Sequence, residues 1–261
     1  MIRRLCYLIV ILELWSPQCL LSQQNNGQWE ATIHSTGLTA SIRSETIRCL
    51  ASIVYTLSKN YGLPLTYEDP PLLYRGDLID VTSANYQSKS PGDRMYLPRG
   101  GPLAFTYPID ITGHIYDIHA ILGDLLDAYK ASGYPGTFKL EEANGVFNIV
   151  PESVLDRSGR WVLVDPIMQT NISFPAQAKR TNKEVLTLLI GVLSAKAGSK
   201  IVLGTNLSNI FEEALFEEAV ADMPAATLLE RMSTRTGGHR LWLLLYEPNF
   251  RYYVLSIYTA L

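Results

Sequence analysis

The stretch from Leu215 to Tyr258 constrains this chain more than any other. Leu241-Trp242-Leu243-Leu244-Leu245-Tyr246 and Tyr252-Tyr253-Val254-Leu255-Ser256-Ile257-Tyr258 are β-favouring runs on either side of Glu247-Pro248-Asn249-Phe250, a Pro/Asn turn of hairpin length. Upstream, Ala225, Leu228, Leu229 and Met232 recur at i, i+3, i+4 and i+7, which predicts a helix with one apolar face. Asp222 is placed to cap it, and Pro224 suits a first turn, where its missing N–H removes no helix bond. Gly237 and Gly238 supply the positive φ that ends it. A strand from about Leu215 to Val220 completes the unit, although Phe211 to Ala219 has helix-forming composition.

Similar punctuation runs through the rest of the chain. Residues 23–37 are polar and mixed and read as a mobile leader. Ile47, Leu50, Ala51, Val54, Leu57 and Tyr61 trace a helix face from about Arg43 to Asn60, followed by a short strand at Leu65 to Glu68. Residues 72–101 are the least regular part, with 82–102 reading as a long loop. A strand at Leu103 to Ile109 precedes a helix carrying Ile118, Ile121, Leu122, Leu125 and Tyr129 on one face. Then Thr137 to Glu142 and Val146 to Val150 flank Asn144-Gly145, the pair best suited to a type I′ turn. Further strands are expected at Trp161 to Val164, Ile172 to Phe174 and Lys200 to Gly204. Thr181 to Glu184 has capping-box spacing for a helix that buries Val185, Leu188, Leu189 and Val192. The expected fold is α+β, made of small βαββ-type units, each a sheet with a helix packed on one face, in two lobes at 37–150 and 161–261. Sequence identity between the units is too slight to define an internal repeat.

The C-terminal unit resembles the short periplasmic modules at the N-terminus of secretins and TonB-dependent transducers. The likeness is carried by a lead-in strand, Asp222-Met223-Pro224-Ala225-Ala226-Thr227-Leu228-Leu229, then Thr236-Gly237 and two strands. The chain as a whole is similar to a type of exported bacterial protein to which no activity is assigned. The resemblance implies a scaffold or docking role without chemistry.

Arg3 and Arg4, the apolar run Leu5 to Leu12 and the polar exit at Ser22 to Asn26 follow the order of a secretory signal, expected over 1–22. The run is too short to span a bilayer, and Gln18 before Cys19 departs from a lipid-anchor site. Removing 1–22 leaves about 240 of the 261 residues, enough for a real core. Cys49 would then be the one remaining thiol, unable to form an internal disulfide and suited to lining a helix. A net charge of -3 argues against a nucleic-acid surface. The expected location is therefore periplasmic or extracellular, and the expected partners are envelope proteins or cell-wall material.

Reactive groups are sparse. No Gly-x-Ser-x-Gly elbow, phosphate loop or dinucleotide fingerprint is present. Asp110, His114, Asp117 and His119 form the only local cluster, and on a helix the two histidines would lie about 140° apart, which does not suit a zinc site. Arg94 and Arg99 in the long loop could meet an anionic group. Glu68-Asp69 and Glu141-Glu142 are adjacent, so strand geometry sends the members of each pair to opposite faces; an acid/base pair from separate strands would not show in the sequence. The outward aromatics among Trp242, Tyr246, Tyr252, Tyr253 and Tyr258 could form a contact surface. No cofactor, metal ligand or catalytic residue is assigned. The expected function is a non-catalytic binding or assembly scaffold of the cell envelope, with a hydrolase of cell-wall sugar or peptide as the alternative.

Overall fold

The structure is a computed structural model that describes residues 29–84, 87, 92–204, 209–236 and 240–259. The signal-like segment 1–22, Cys19, the Gly237-Gly238 stop and His239 lie outside the described residues.

In chain order the main elements are β1 (Thr32–Thr36), β2 (Thr39–Ser44), α1 (Cys49–Tyr61), β3 (Leu65–Glu68), β4 (Leu78–Asp80), β5 (Tyr96–Pro98), β6 (Leu103–Pro108), α2 (Ile118–Ala131), β7 (Thr137–Ala143) and β8 (Val146–Leu155). They continue with β9 (Trp161–Leu163), β10 (Asn171–Phe174), α3 (Asn182–Ala197), β11 (Ile201–Leu203), α4 (Asn209–Glu213), β12 (Val220–Pro224), α5 (Ala225–Arg235), β13 (Arg240–Glu247) and β14 (Tyr252–Thr259). The architecture is α+β.

One sheet, in the order β11-β14-β13-β3-β8-β7 with β9 added beside β8, takes strands from both ends of the chain. Its centre is the short strand β3, parallel to both β13 and β8 and buried at all four positions. Strand β13 alternates between two cores. Leu241, Leu243 and Leu245 face the side covered by α1 and α2, while Trp242, Leu244 and Tyr246 face the side covered by α3 and α5. Burial on both faces explains why this run is apolar throughout instead of alternating with polar residues.

The connectivity is used twice. In the first half, β2–α1–β3 is followed by β6–α2–β7–β8, with β2 paired to β6 and β3 parallel to β8. In the second, β10–α3–β11 is followed by β12–α5–β13–β14, with β10 paired to β12 and β11 parallel to β14. Because β13 runs parallel to β3, the second set is inverted along the strands, and its helices fall on the opposite face. At the junction Arg48 pairs with Asp69 in a buried ion pair. Asp69 also accepts from the Tyr67 hydroxyl at 2.7 Å and the Tyr246 N–H at 3.0 Å, and Arg48 donates to the Tyr246 carbonyl at 2.6 Å. This cluster ties α1, β3 and the end of β13 into one joint.

Several expectations need correction. Thr32 to Thr36 is not a mobile leader but strand β1, and Arg43 and Ser44 belong to β2, so helix α1 starts at Cys49. In this hairpin β2 buries only Ala40, Ile42 and Ser44, too sparse an apolar signal to be seen without its partner β6. The face of α3 is rotated: Val185, Leu186, Leu189 and Leu193 are buried, whereas Leu188 and Val192 are exposed. Asp222 does not cap α5, because its carboxylate accepts from Asn171 Nδ2 at 2.9 Å across the β10–β12 pair; Pro224 stands at the N-cap position without a side-chain bond. The strand expected from Leu215 begins at Val220, and helical propensity prevails over Asn209 to Glu213. The loop expected at 82–102 includes β5, which pairs with β4.

Candidate functional site

The clustered acidic and histidine residues do not converge. Asp110 is engaged by its own turn, accepting from Thr112 N–H at 2.7 Å, the Thr112 hydroxyl at 2.6 Å and His114 N–H at 2.8 Å. His114 is exposed. Asp117 caps α2 through Ala120 N–H at 3.0 Å. His119 meets Glu142 at 2.7 Å and packs edge-on against Phe147. Among the described residues no group of three or more His, Cys, Asp or Glu side chains is placed to hold a metal ion. Cys49 is buried, and burial pushes its thiol up to about 11, which leaves it protonated and unreactive at neutral pH. Arg94 and Arg99 are held internally: Arg94 lies 3.9 Å from Asp80, and Arg99 lies 3.7 Å from Asp77 and donates to the Gly133 carbonyl at 3.0 Å. Among the hairpin aromatics Trp242, Tyr246 and Tyr253 are core, and Tyr258 packs edge-on against Tyr55.

The structure assembles a different site. Strand β3 stops at Glu68 between the parallel strands β13 and β8, which run on past it to Glu247 and Leu155, and the covering helices change from one face to the other at this point. In open sheets that is where a crevice forms. Here it is a cleft of about 640 Å³ between the loop after β3, the β8–β9 turn, the segment before Ile167, the C-terminal end of α3 and the β13–β14 turn. A second chamber of about 250 Å³ adjoins it, and Leu73, Arg157, Tyr246 and Arg251 line both.

Each wall has a local cause. Asp156 organises the β8–β9 turn by accepting from the Ser158 hydroxyl at 2.6 Å, Arg160 N–H at 3.0 Å, Ser158 N–H at 2.8 Å and the Arg160 guanidinium, and these bonds, the Ser158 hydroxyl's foremost, hold its carboxyl well below the usual range. Tyr74 packs beside Gly159, where φ is +80° and an added Cβ would sit 3.3 Å from its ring. Arg157 is thereby presented from a fixed turn while Arg160 is engaged with Asp156. The β13–β14 turn is clasped to β5 by Asn249, which accepts from Tyr96 N–H at 2.6 Å and donates to its carbonyl at 2.8 Å. Arg251 follows in a left-handed conformation with φ of 52°. Arg75 is steadied by the Tyr96 hydroxyl at 3.2 Å and by that ring.

Electrostatically the cleft is the reverse of the chain, whose net charge is -3. Arg75, Arg157, Lys196 and Arg251 line the two chambers together with Glu68 and Asp165. Glu68, 1% exposed, accepts from Ile167 N–H at 2.6 Å and Met168 N–H at 3.0 Å. Burial pushes its carboxyl up to about 8. Arg157, Lys196 and Arg251 have no carboxylate partner among the described residues. Burial raises the Tyr246 phenol, with Arg251 lowering it, Glu247 raising it and Arg157 lowering it. Tyr253, 2% exposed and 5.0 Å from Tyr246 between ring centres, lines the floor, and its hydroxyl has no partner among the described residues.

A sequence signal for this site hardly exists, since its cations lie on four separate elements. Pro248-Asn249 and Ser158-Gly159 mark turns but not the cleft between them. No family model, curated protein or solved structure matches the chain. No helix among the described residues is long and apolar enough to cross a membrane. The fold and the cleft together define a duplicated α+β protein with a cationic crevice at the strand ends.

Proposed function

We propose that this protein is a non-catalytic binding module of the cell envelope that holds an anionic ligand in the cleft at the carboxyl ends of β3, β8 and β13. One observation carries the reading: Arg157, Lys196 and Arg251 face that cleft from three elements without a carboxylate partner among the described residues. Elsewhere Arg43, Arg48, Arg94, Arg99, Arg160 and Arg235 are each paired with a carboxylate, whereas Arg231, Lys130, Lys179 and Lys200, unpaired among the described residues, do not converge on this cleft. Like charges gathered on fixed turns repel, and an anion relieves that repulsion while gaining charge-assisted hydrogen bonds. The envelope location rests on the arginine-led apolar run at the N-terminus.

Titration with tripolyphosphate at low ionic strength tests the reading. Saturable binding is expected, weakening as salt is raised and falling about ten-fold or more in Arg157→Ala and Arg251→Gly, each replacement removing a charged contact worth about 1.5–3 kcal/mol. Binding that neither variant changes would place the anion elsewhere and end the proposal.

The alternative, a hydrolase of cell-wall material, draws on the presence in one cleft of Asp165 and of Glu68 with its raised carboxyl. Both Glu68 oxygens already accept backbone N–H groups, which suits a clamp on the turn at Ile167–Gln169 better than a proton donor. Release of reducing sugar or free amine from cell-wall polymer, abolished in Glu68→Gln, would favour the hydrolase.

A further inference from the structure

Resting on that reading, we infer that the ligand is an anionic saccharide, a sugar chain bearing carboxylate or phosphate groups. Arg157 and Arg251 sit on the wall common to both chambers, so an anionic group held there has room on either side. The site therefore suits a charged group carried within a longer ligand, not a small free ion. Asp165 lies in the same chamber as Lys196. A bare polyanion would be repelled by that carboxylate, whereas the hydroxyls of a sugar would donate to it. A neutral sugar, in turn, would leave the cations unmatched. The Tyr253 side chain is 2% exposed and lines the cleft, and its hydroxyl, with no hydrogen-bond partner among the described residues, is a ready donor and acceptor for a sugar oxygen. Pro71 and Pro166, both part-exposed in the lining, supply apolar surfaces of the kind that pack against the C–H faces of a pyranose.

The test compares four probes by calorimetry on the full-length protein: a galacturonic acid trimer, glucose 1-phosphate, a neutral galactose trimer and tripolyphosphate. One of the two anionic sugars is expected to bind about ten-fold or more tightly than both the neutral trimer and tripolyphosphate. Which of the two does so identifies the substituent as carboxylate or phosphate. Asp165 is exposed, so Asp165→Ala folds, and it should weaken the anionic sugar while tightening tripolyphosphate, a pair of opposite shifts that a structural role would not produce. If tripolyphosphate binds as tightly as either sugar, the saccharide is wrong while the anion site stands. If no anion binds, both fall.

Discussion

Two residues at the cleft carry opposing demands. Glu68 ionises near 4.5 in an unfolded chain, but burial raises its folded value to about 8. Between those values the folded protein keeps a proton that the unfolded chain has lost. The stabilisation is therefore fully present below about 4.5 and is lost as pH rises through about 8. Glu68→Gln should cost about 1–3 kcal/mol, because an amide N–H₂ meets one backbone N–H, yet flatten the decline in stability across that window. Urea midpoints measured at several pH values check this; equal slopes in both proteins would show that Glu68 is not the group responsible. Arg251 holds a left-handed backbone that costs a non-glycine residue about 1–2 kcal/mol. Arg251→Gly should consequently melt at or above the wild-type temperature even as it loses anion affinity, and a clear drop in melting temperature would show that the arginine is there for stability.

At the level of elements, the local grammar was legible in the residues themselves. Asn144 and Gly145 adopt the paired positive φ values of 53° and 76° that a type I′ turn requires. Thr181 and Glu184 form the full capping box. Misplaced elements were those whose limits depend on a distant partner: β2 needs β6, and Asp222 is drawn away from α5 by Asn171. The short link before β6 shows the same dependence, since a Cβ added at Gly100 would lie 1.9 Å from the Ile47 carbonyl oxygen. Gly123, inside α2, has nothing within 4 Å of such a carbon. Gly100→Ala should thus lower thermal stability, and Gly123→Ala should raise it by about 0.8–1 kcal/mol through helix propensity. Calorimetric melting of the pair distinguishes close backbone approach from a general intolerance of substituted glycine.

For the whole molecule, the decisive fact is that one sheet is built from both halves. Leu241, Leu243 and Leu245, near the end of the chain, complete the core beneath α1 and α2. A break introduced before Asp165 should leave two fragments that are unfolded separately and recover native circular dichroism only when mixed, because each half lacks a face of its core. Independent folding of either fragment would show that β3·β13 pairing is a contact between finished domains.

What the residues determined alone were features decided within one turn of backbone, among them the Asn144-Gly145 and Pro248-Asn249 turns, the Thr181–Glu184 capping box, the apolar runs of β13 and β14, and an α+β composition. Those follow from short-range sterics and hydrogen bonding. The tertiary structure decided that a four-residue strand, Leu65 to Glu68, would be the axis of the sheet, which face each helix would cover, and where Arg75, Arg157, Lys196 and Arg251 would meet. None of these has a local cause. Strand order and crossover side are properties of pairings between distant segments, and a cleft at the strand ends exists only once those pairings are made.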